Sequence, residues 1–165
     1  MKRIQNHIAS IILFGVILII ALSCNVSKKY EDDERAQIDS YLANNPGLAF
    51  ELKPSGLYYL EVELGSGELA VTHDTVFIMY TGMFLGGTVF ETNVGTEDTL
   101  IFPVDEGWVL PGFDEGVTYM RDGGKAKFLV PSILAYGSTG WYPIPGYTPL
   151  LFDVELVRLI PGPGP

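Results

Sequence analysis

Few side chains in this sequence could do chemistry, and what they exclude narrows the field. In 165 residues there are two histidines, His7 and His73, and one cysteine, Cys24. His73 has no evident serine or cysteine partner, so no nucleophile with its base can be assembled. The same residues make neither an intrachain disulfide nor a zinc-type ligand set. Glu31-Asp32-Asp33-Glu34 lacks the alternating ligands and central glycine of a calcium loop and reads as a solvated helix start. Gly65-Ser66-Gly67 opens like a dinucleotide fingerprint, but no helix with a phosphate-facing start follows it. Asp74, Glu97, Asp98, Asp105 and Glu106 read as solvated loop acids. No metal and no cofactor is called for. Trp141, Tyr142 and Tyr147 could stack on a sugar ring if they are exposed together.

Charge narrows the partners. The net charge of −10 argues against a nucleic-acid partner and against simple adhesion to an anionic bilayer. At the N-terminus, Lys2 and Arg3 precede an uncharged run from Ile8 to Leu22 that ends at Ser23-Cys24. That is the layout of a secretory signal, and the run is shorter than the roughly 20 residues of a membrane span. Ala21-Leu22-Ser23-Cys24 resembles the lipobox of bacterial lipoproteins, which implies lipidation of Cys24 and a membrane anchor. An ordinary signal peptide with an incidental cysteine, or an uncleaved anchor, is the plainer alternative. The expected organisation is a signal peptide over 1–23, a lipid-anchored tether with a short acidic helix over 24–56, one domain over 57–160, and a disordered Pro/Gly tail over 161–165.

The elements that position any site follow from spacing. Pro111 suits the first turn of a helix, and Phe113, Val117 and Met120 recur on one apolar face until Arg121-Asp122-Gly123-Gly124 stops it. Asp114 and Glu115 lie at its positive end. A helix of about two turns is too short to stand alone in water and must be packed against something. An earlier helix runs from Glu31 to about Asn44, with Ile38, Tyr41 and Leu42 as a narrow stripe. Asn45-Pro46-Gly47 ends it. Strands are expected at Leu57–Leu64, Thr75–Phe84, Thr88–Thr92, Thr99–Phe102, Lys125–Val130 and Leu150–Ile160, the last with Asp153, Glu155 and Arg158 on its wet side. The fold class is α+β: a twisted antiparallel sheet of about five or six strands wrapped around one short helix.

Several separated stretches then resemble one family in order and spacing. They are Val76-Phe77-Ile78-Met79-Tyr80-Thr81-Gly82, Gly87-Thr88-Val89-Phe90-Glu91, Val109-Leu110-Pro111-Gly112-Phe113-Asp114-Glu115-Gly116, Ala135-Tyr136-Gly137 and Leu151-Phe152-Asp153-Val154-Glu155-Leu156. Together they resemble the FKBP-type peptidyl-prolyl cis-trans isomerases over about Leu57 to Leu159. The resemblance implies an apolar pocket walled by Tyr80, Phe90, Val109, Leu110, Phe113, Tyr136 and Phe152. Phe113 would be its floor, where the family more often has tryptophan. Glu91 stands where aspartate is usual, and Leu100 where many members carry phenylalanine. Trp141, Tyr142, Ile144, Pro145 and Tyr147 would lie in the loop overhanging the pocket.

The activity so implied makes and breaks no covalent bond. The backbone N–H of Leu110 would fix a substrate carbonyl, and the Tyr136 hydroxyl would give a second polar contact. Glu91 would help to hold Tyr80 or polarise the site, and its extra methylene could shift that hydroxyl. The implied partners are proline-containing polypeptides, with macrolides of the rapamycin type as inhibitors. No dimerisation domain is evident, so a monomer is expected. The implied setting is the cell envelope, facing periplasm or exterior. The alternative is a proline-peptide-binding chaperone or scaffold that kept the fold and lost catalysis through Glu91, Leu100 and Phe113.

Overall fold

The computed structural model describes residues 28–163. The signal-like run, Cys24 and the last two residues lie outside the described residues. The chain divides into two compact units, Met1–Ala36 and Gln37–Pro165. The described part of the first is helical; the helix, α1, occupies 28–44 and continues into the second. It therefore includes Lys28, Lys29 and Tyr30, which the sequence reading assigned to the tether. No helix among the described residues is long and apolar enough to cross a membrane.

The second unit is a seven-stranded sheet in which every pairing is antiparallel. Its strands are β1 (Glu51–Leu52), β2 (Tyr58–Glu63), β3 (Thr75–Phe84), β4 (Val89–Thr92), β5 (Leu100–Pro103), β6 (Lys125–Val130) and β7 (Leu150–Ile160). The order is β1-β2-β6-β7-β3-β4, with β5 also on β3. The sequence reading missed only β1, too short to show a period. β3 and β7 pair along their whole length, from Thr75 opposite Ile160 to Phe84 opposite Leu150. A bulge near Phe77 and Ile78 shifts the register there, so Val157 and Arg158 are both exposed.

The other edge of β3 is shared. β5 takes Thr75 to Ile78, and β4 takes Thr81 to Met83. Asn93 closes the gap between them with its carboxamide. Its Oδ1 accepts the Tyr80 N–H at 2.7 Å, and its Nδ2 donates to the Ile78 carbonyl at 3.0 Å. A backbone that two short strands would leave unpaired is thereby satisfied by one side chain.

The short helix α2 (Pro111–Thr118) packs against β6. Close approach explains two of its glycines. A Cβ on Gly116 would come within 2.6 Å of the Phe128 ring, and one on Gly112 within 2.5 Å of Val130 Cγ1. Phe113, Val117 and Met120 are buried, as their spacing predicts, in a core with Val76, Ile78, Phe102, Phe128, Phe152 and Leu156. On the opposite face of the sheet, Ile38, Tyr41 and Leu42 of α1 join Leu129 and Leu151 in a smaller cluster.

Two expectations are corrected. Asp74 is not a solvated loop acid; it is buried. Its Oδ2 accepts the Val71 N–H at 3.0 Å and its Oδ1 the Gly162 N–H at 2.9 Å. The same bond corrects the tail, because Pro161–Pro163 does not lie free: Gly162 is tied across 88 residues to Asp74. Both were misread for one reason. A carboxylate can be buried when backbone N–H groups converge on it, and sequence does not show that convergence.

Candidate functional site

The site is an open hollow of about 340 Å³ where the concave face of the sheet meets the start of α2. β3 supplies Tyr80, β4 Glu91, β5 Leu100 and β7 Phe152. The loop entering α2 supplies Trp108, Val109 and Leu110, the helix Pro111 and Phe113, and the segment after β6 Tyr136. The structure thus brings together Tyr80, Glu91, Leu100, Val109, Leu110, Phe113, Tyr136 and Phe152 from the expected set.

Phe113 is the floor, and it is held by rings on every side. Its centroid lies 5.3 Å from Phe152, 5.6 Å from Tyr80, 5.6 Å from Phe128 and 6.2 Å from Phe102, all steeply inclined. Edge-to-face packing of this kind suits the ring quadrupole and fixes the orientation of each ring. The floor is therefore apolar and closely packed.

The polar groups are at the rim. The Glu91 carboxylate stands near the Tyr80 hydroxyl, on the same wall of the hollow. Burial first, and Glu91 next, push that hydroxyl well above the ordinary tyrosine range. The same two causes, in the same order, raise Tyr136. Both tyrosines are thus neutral hydrogen-bond donors at any physiological pH. Leu110 is the N-cap of α2, with φ −57° and ψ 138°. Its carbonyl accepts from the Phe113 and Asp114 N–H groups, while its own N–H has no acceptor among the described residues. A free donor at the edge of an apolar hollow is a ready anchor for one carbonyl oxygen.

Phe90, Trp141 and Ile144 of the expected set do not line the hollow. Phe90 lies behind it, 5.9 Å from Phe152 and 5.4 Å from Phe84. Gly82 makes room for it, since a Cβ there would meet the Phe90 ring at 2.6 Å. Trp141 is 71% exposed and Tyr142 94%, while Ile144 is buried in the main core. The loop folds on itself through reciprocal backbone bonds between Trp141 and Ile144, which sends one side chain outward and the other in. Trp108 and Pro111 line the hollow unforeseen. The available signal was adjacency: each borders Val109-Leu110.

Asp114 was expected to act only on the helix dipole. It is buried, and its two oxygens accept the N–H groups of Asp105 at 2.8 Å and Gly107 at 3.2 Å. It therefore holds the loop that delivers Trp108, Val109 and Leu110 to the rim.

A half-wrapped antiparallel sheet with one helix in its concavity and an aromatic hollow at the helix start defines a recognisable class. Residues 66–157 match the family described as FKBP-type peptidyl-prolyl cis-trans isomerase, and the chain belongs to that family. It is 39% identical over 109 residues to the FKBP-type peptidyl-prolyl cis-trans isomerase FkpA of Escherichia coli K12, covering 66% of this chain and 40% of that protein. It is also 33% identical to the photosynthetic NDH subunit of lumenal location 4 of Arabidopsis thaliana, over 91% of this chain and 75% of that one. The crystal structure of FkpA from Escherichia coli superposes with a TM-score of 0.72 at 33% identity, covering 86% of this chain and 65% of that chain. The chain thus spans about 40% of the length of the FkpA sequence it matches.

Proposed function

We propose that this chain speeds cis-trans isomerisation of X-Pro bonds in polypeptides outside the cytoplasm. The observation that carries the reading is the open aromatic hollow with a free N–H at its edge. Rotation about an X-Pro bond is slow because resonance across the amide resists it, with a barrier near 18–20 kcal/mol. That resonance puts charge on oxygen and nitrogen, and twisting removes it. The rotated form is thus less polar than the planar one, and a water-poor cavity favours it by comparison. Shortening about 100 s to milliseconds takes five decades, about 7 kcal/mol at 1.36 per decade. No single hydrogen bond supplies that. The proline ring lies over Phe113 between Tyr80 and Phe152, Leu110 N–H holds a carbonyl, and Tyr136 donates a second contact.

The test is a proline tetrapeptide assay on residues 25–165, with a rapamycin-type macrolide as inhibitor. Faster relaxation that the macrolide abolishes supports the reading. Full activity in a folded Tyr136→Ala or Phe113→Ala protein would overturn the assignment of the site. The charge of Glu91 beside Tyr80 favours a second reading, a chaperone or scaffold with weak catalysis, because it puts a carboxylate in an otherwise apolar wall. Peptide binding without rate enhancement would select it.

A lipid on Cys24 would hold the domain to a bacterial membrane, in periplasm or at the exterior. The lipobox-like tetrapeptide supports this. Palmitate labelling that persists in Cys24→Ala would refute it.

A further inference from the structure

We propose that Trp108 is a specificity platform for the substrate residue that follows the proline. The inference rests on the isomerase reading above and adds to it a preference that no wall of the pocket itself requires.

Trp108 borders the hollow, yet the residue is 73% exposed and absent from the core. A tryptophan so placed forgoes most of the stabilisation that burying its large apolar surface would bring. The backbone that leads to it is nonetheless braced. Asp105 and Gly107, just before it, both donate to the buried carboxylate of Asp114. Gly107 has φ +70°, a conformation that a glycine adopts freely. Two residues after Trp108, Leu110 begins α2 with its N–H free. An exposed indole on a braced loop presents its surface at one place on the rim, so binding to it does not require the loop to be ordered first. β5 gives the same hollow Leu100 instead of a ring, and among its aromatic lining residues Trp108 is the most exposed.

The direction of the substrate follows from the reaction. A carbonyl that stays tied while the X-Pro bond turns belongs to the part that does not swing, the proline ring and its own C=O. Leu110 N–H therefore holds the proline carbonyl. The chain leaving that carbonyl passes the rim within two residues of Leu110, where Trp108 stands. An aromatic or large aliphatic side chain in the position after proline stacks on the indole; glycine or a charged residue gains nothing there.

The experiment measures kcat/KM by exchange NMR on Ala-Ala-Pro-Z peptides, without a coupling protease, for the full chain and for Trp108→Ala. Z is phenylalanine, leucine, glycine or glutamate, and a second series varies the residue before proline. The wild-type ratio of phenylalanine to glycine at Z is expected to be about tenfold, the discrimination that one apolar subsite supplies. In Trp108→Ala that ratio is expected to fall below about twofold, because the discriminating surface is gone. An equal loss for every Z, an unchanged ratio, or flattening confined to the residue before proline overturns the proposal. Fluorescence separates it from the isomerase reading. The chain has two tryptophans, so in Trp141→Phe all indole emission comes from Trp108. If no peptide is turned over but emission shifts with Z phenylalanine and not with glycine, the platform stands and catalysis is what fails. No shift with either peptide overturns the platform as well.

Discussion

The core has a closed half and an open half, built from the same kinds of residue and finished differently. Around Phe128 everything is sealed. Phe128, Val117, Leu156 and Val76 are all at 0% exposure, and Tyr59 lies over the same ring at 5.8 Å. Around Phe113 the packing below is as tight, but Tyr80, Leu110 and Tyr136 above are only partly buried. Phe113 belongs to both halves: it roofs the sealed one and floors the open one. The lesson is that a rigid hollow in a small domain needs a second layer of rings beneath it. Its polar handles can then stand at the lip, where they keep partners or water.

That contrast can be broken from either side. The largest expected effect is on the sealed half. Phe128→Ala removes the ring that touches Tyr59, Phe113 and Gly116, and should lower the unfolding free energy by about 3–5 kcal/mol in a urea titration. Phe113→Leu crosses the boundary. It should cut kcat/KM about thirtyfold, near 2 kcal/mol of transition-state stabilisation, with a smaller loss of stability than Phe128→Ala. Equal damage to both quantities would mean that the two halves are not separable.

Asn93→Ala tests the open half from its frame. It strands the Tyr80 N–H and the Ile78 carbonyl, a cost of about 1–3 kcal/mol, and should loosen Tyr80 enough to show in amide exchange at that residue. The smallest effect expected is on pH. Burial first, and then Glu61 and Glu51, raise the Tyr59 hydroxyl to about 12. A raised tyrosine binds its proton more tightly when folded, so its contribution is whole below about pH 10 and drains away as pH climbs toward 12. Urea midpoints should therefore decline over that window, and decline less in Tyr59→Phe. A steeper decline in the variant would show that the hydroxyl is not what the fold protects.

The frame was largely legible in the sequence because burial leaves a period. Thr75–Phe84, Lys125–Val130 and Leu150–Ile160 fall where the alternation placed them, and Pro111 opens α2 as its missing N–H predicts. What escaped is what depends on loop backbone. Asp74 and Asp114 are buried because N–H groups from distant turns converge on them, and Asn93 replaces a missing stretch of ladder. None of the three leaves a periodic trace. The lining of the hollow was legible through family likeness, except for Phe90 on β4, which packs behind it, and where a loop set the direction. Pro143 and Pro145 gave no hint that Ile144 turns into the core while Trp141 faces solvent.

The divided margin of β3 has a consequence for the company this domain keeps. One rim of the sheet ends in a two-residue strand, β1, and the other in four-residue pieces, β4 and β5, spliced by a carboxamide. Neither rim offers a long run of vacant amides on which a passing extended chain could zip itself into the sheet. An extended chain that meets either rim finds only short stretches of strand to pair with.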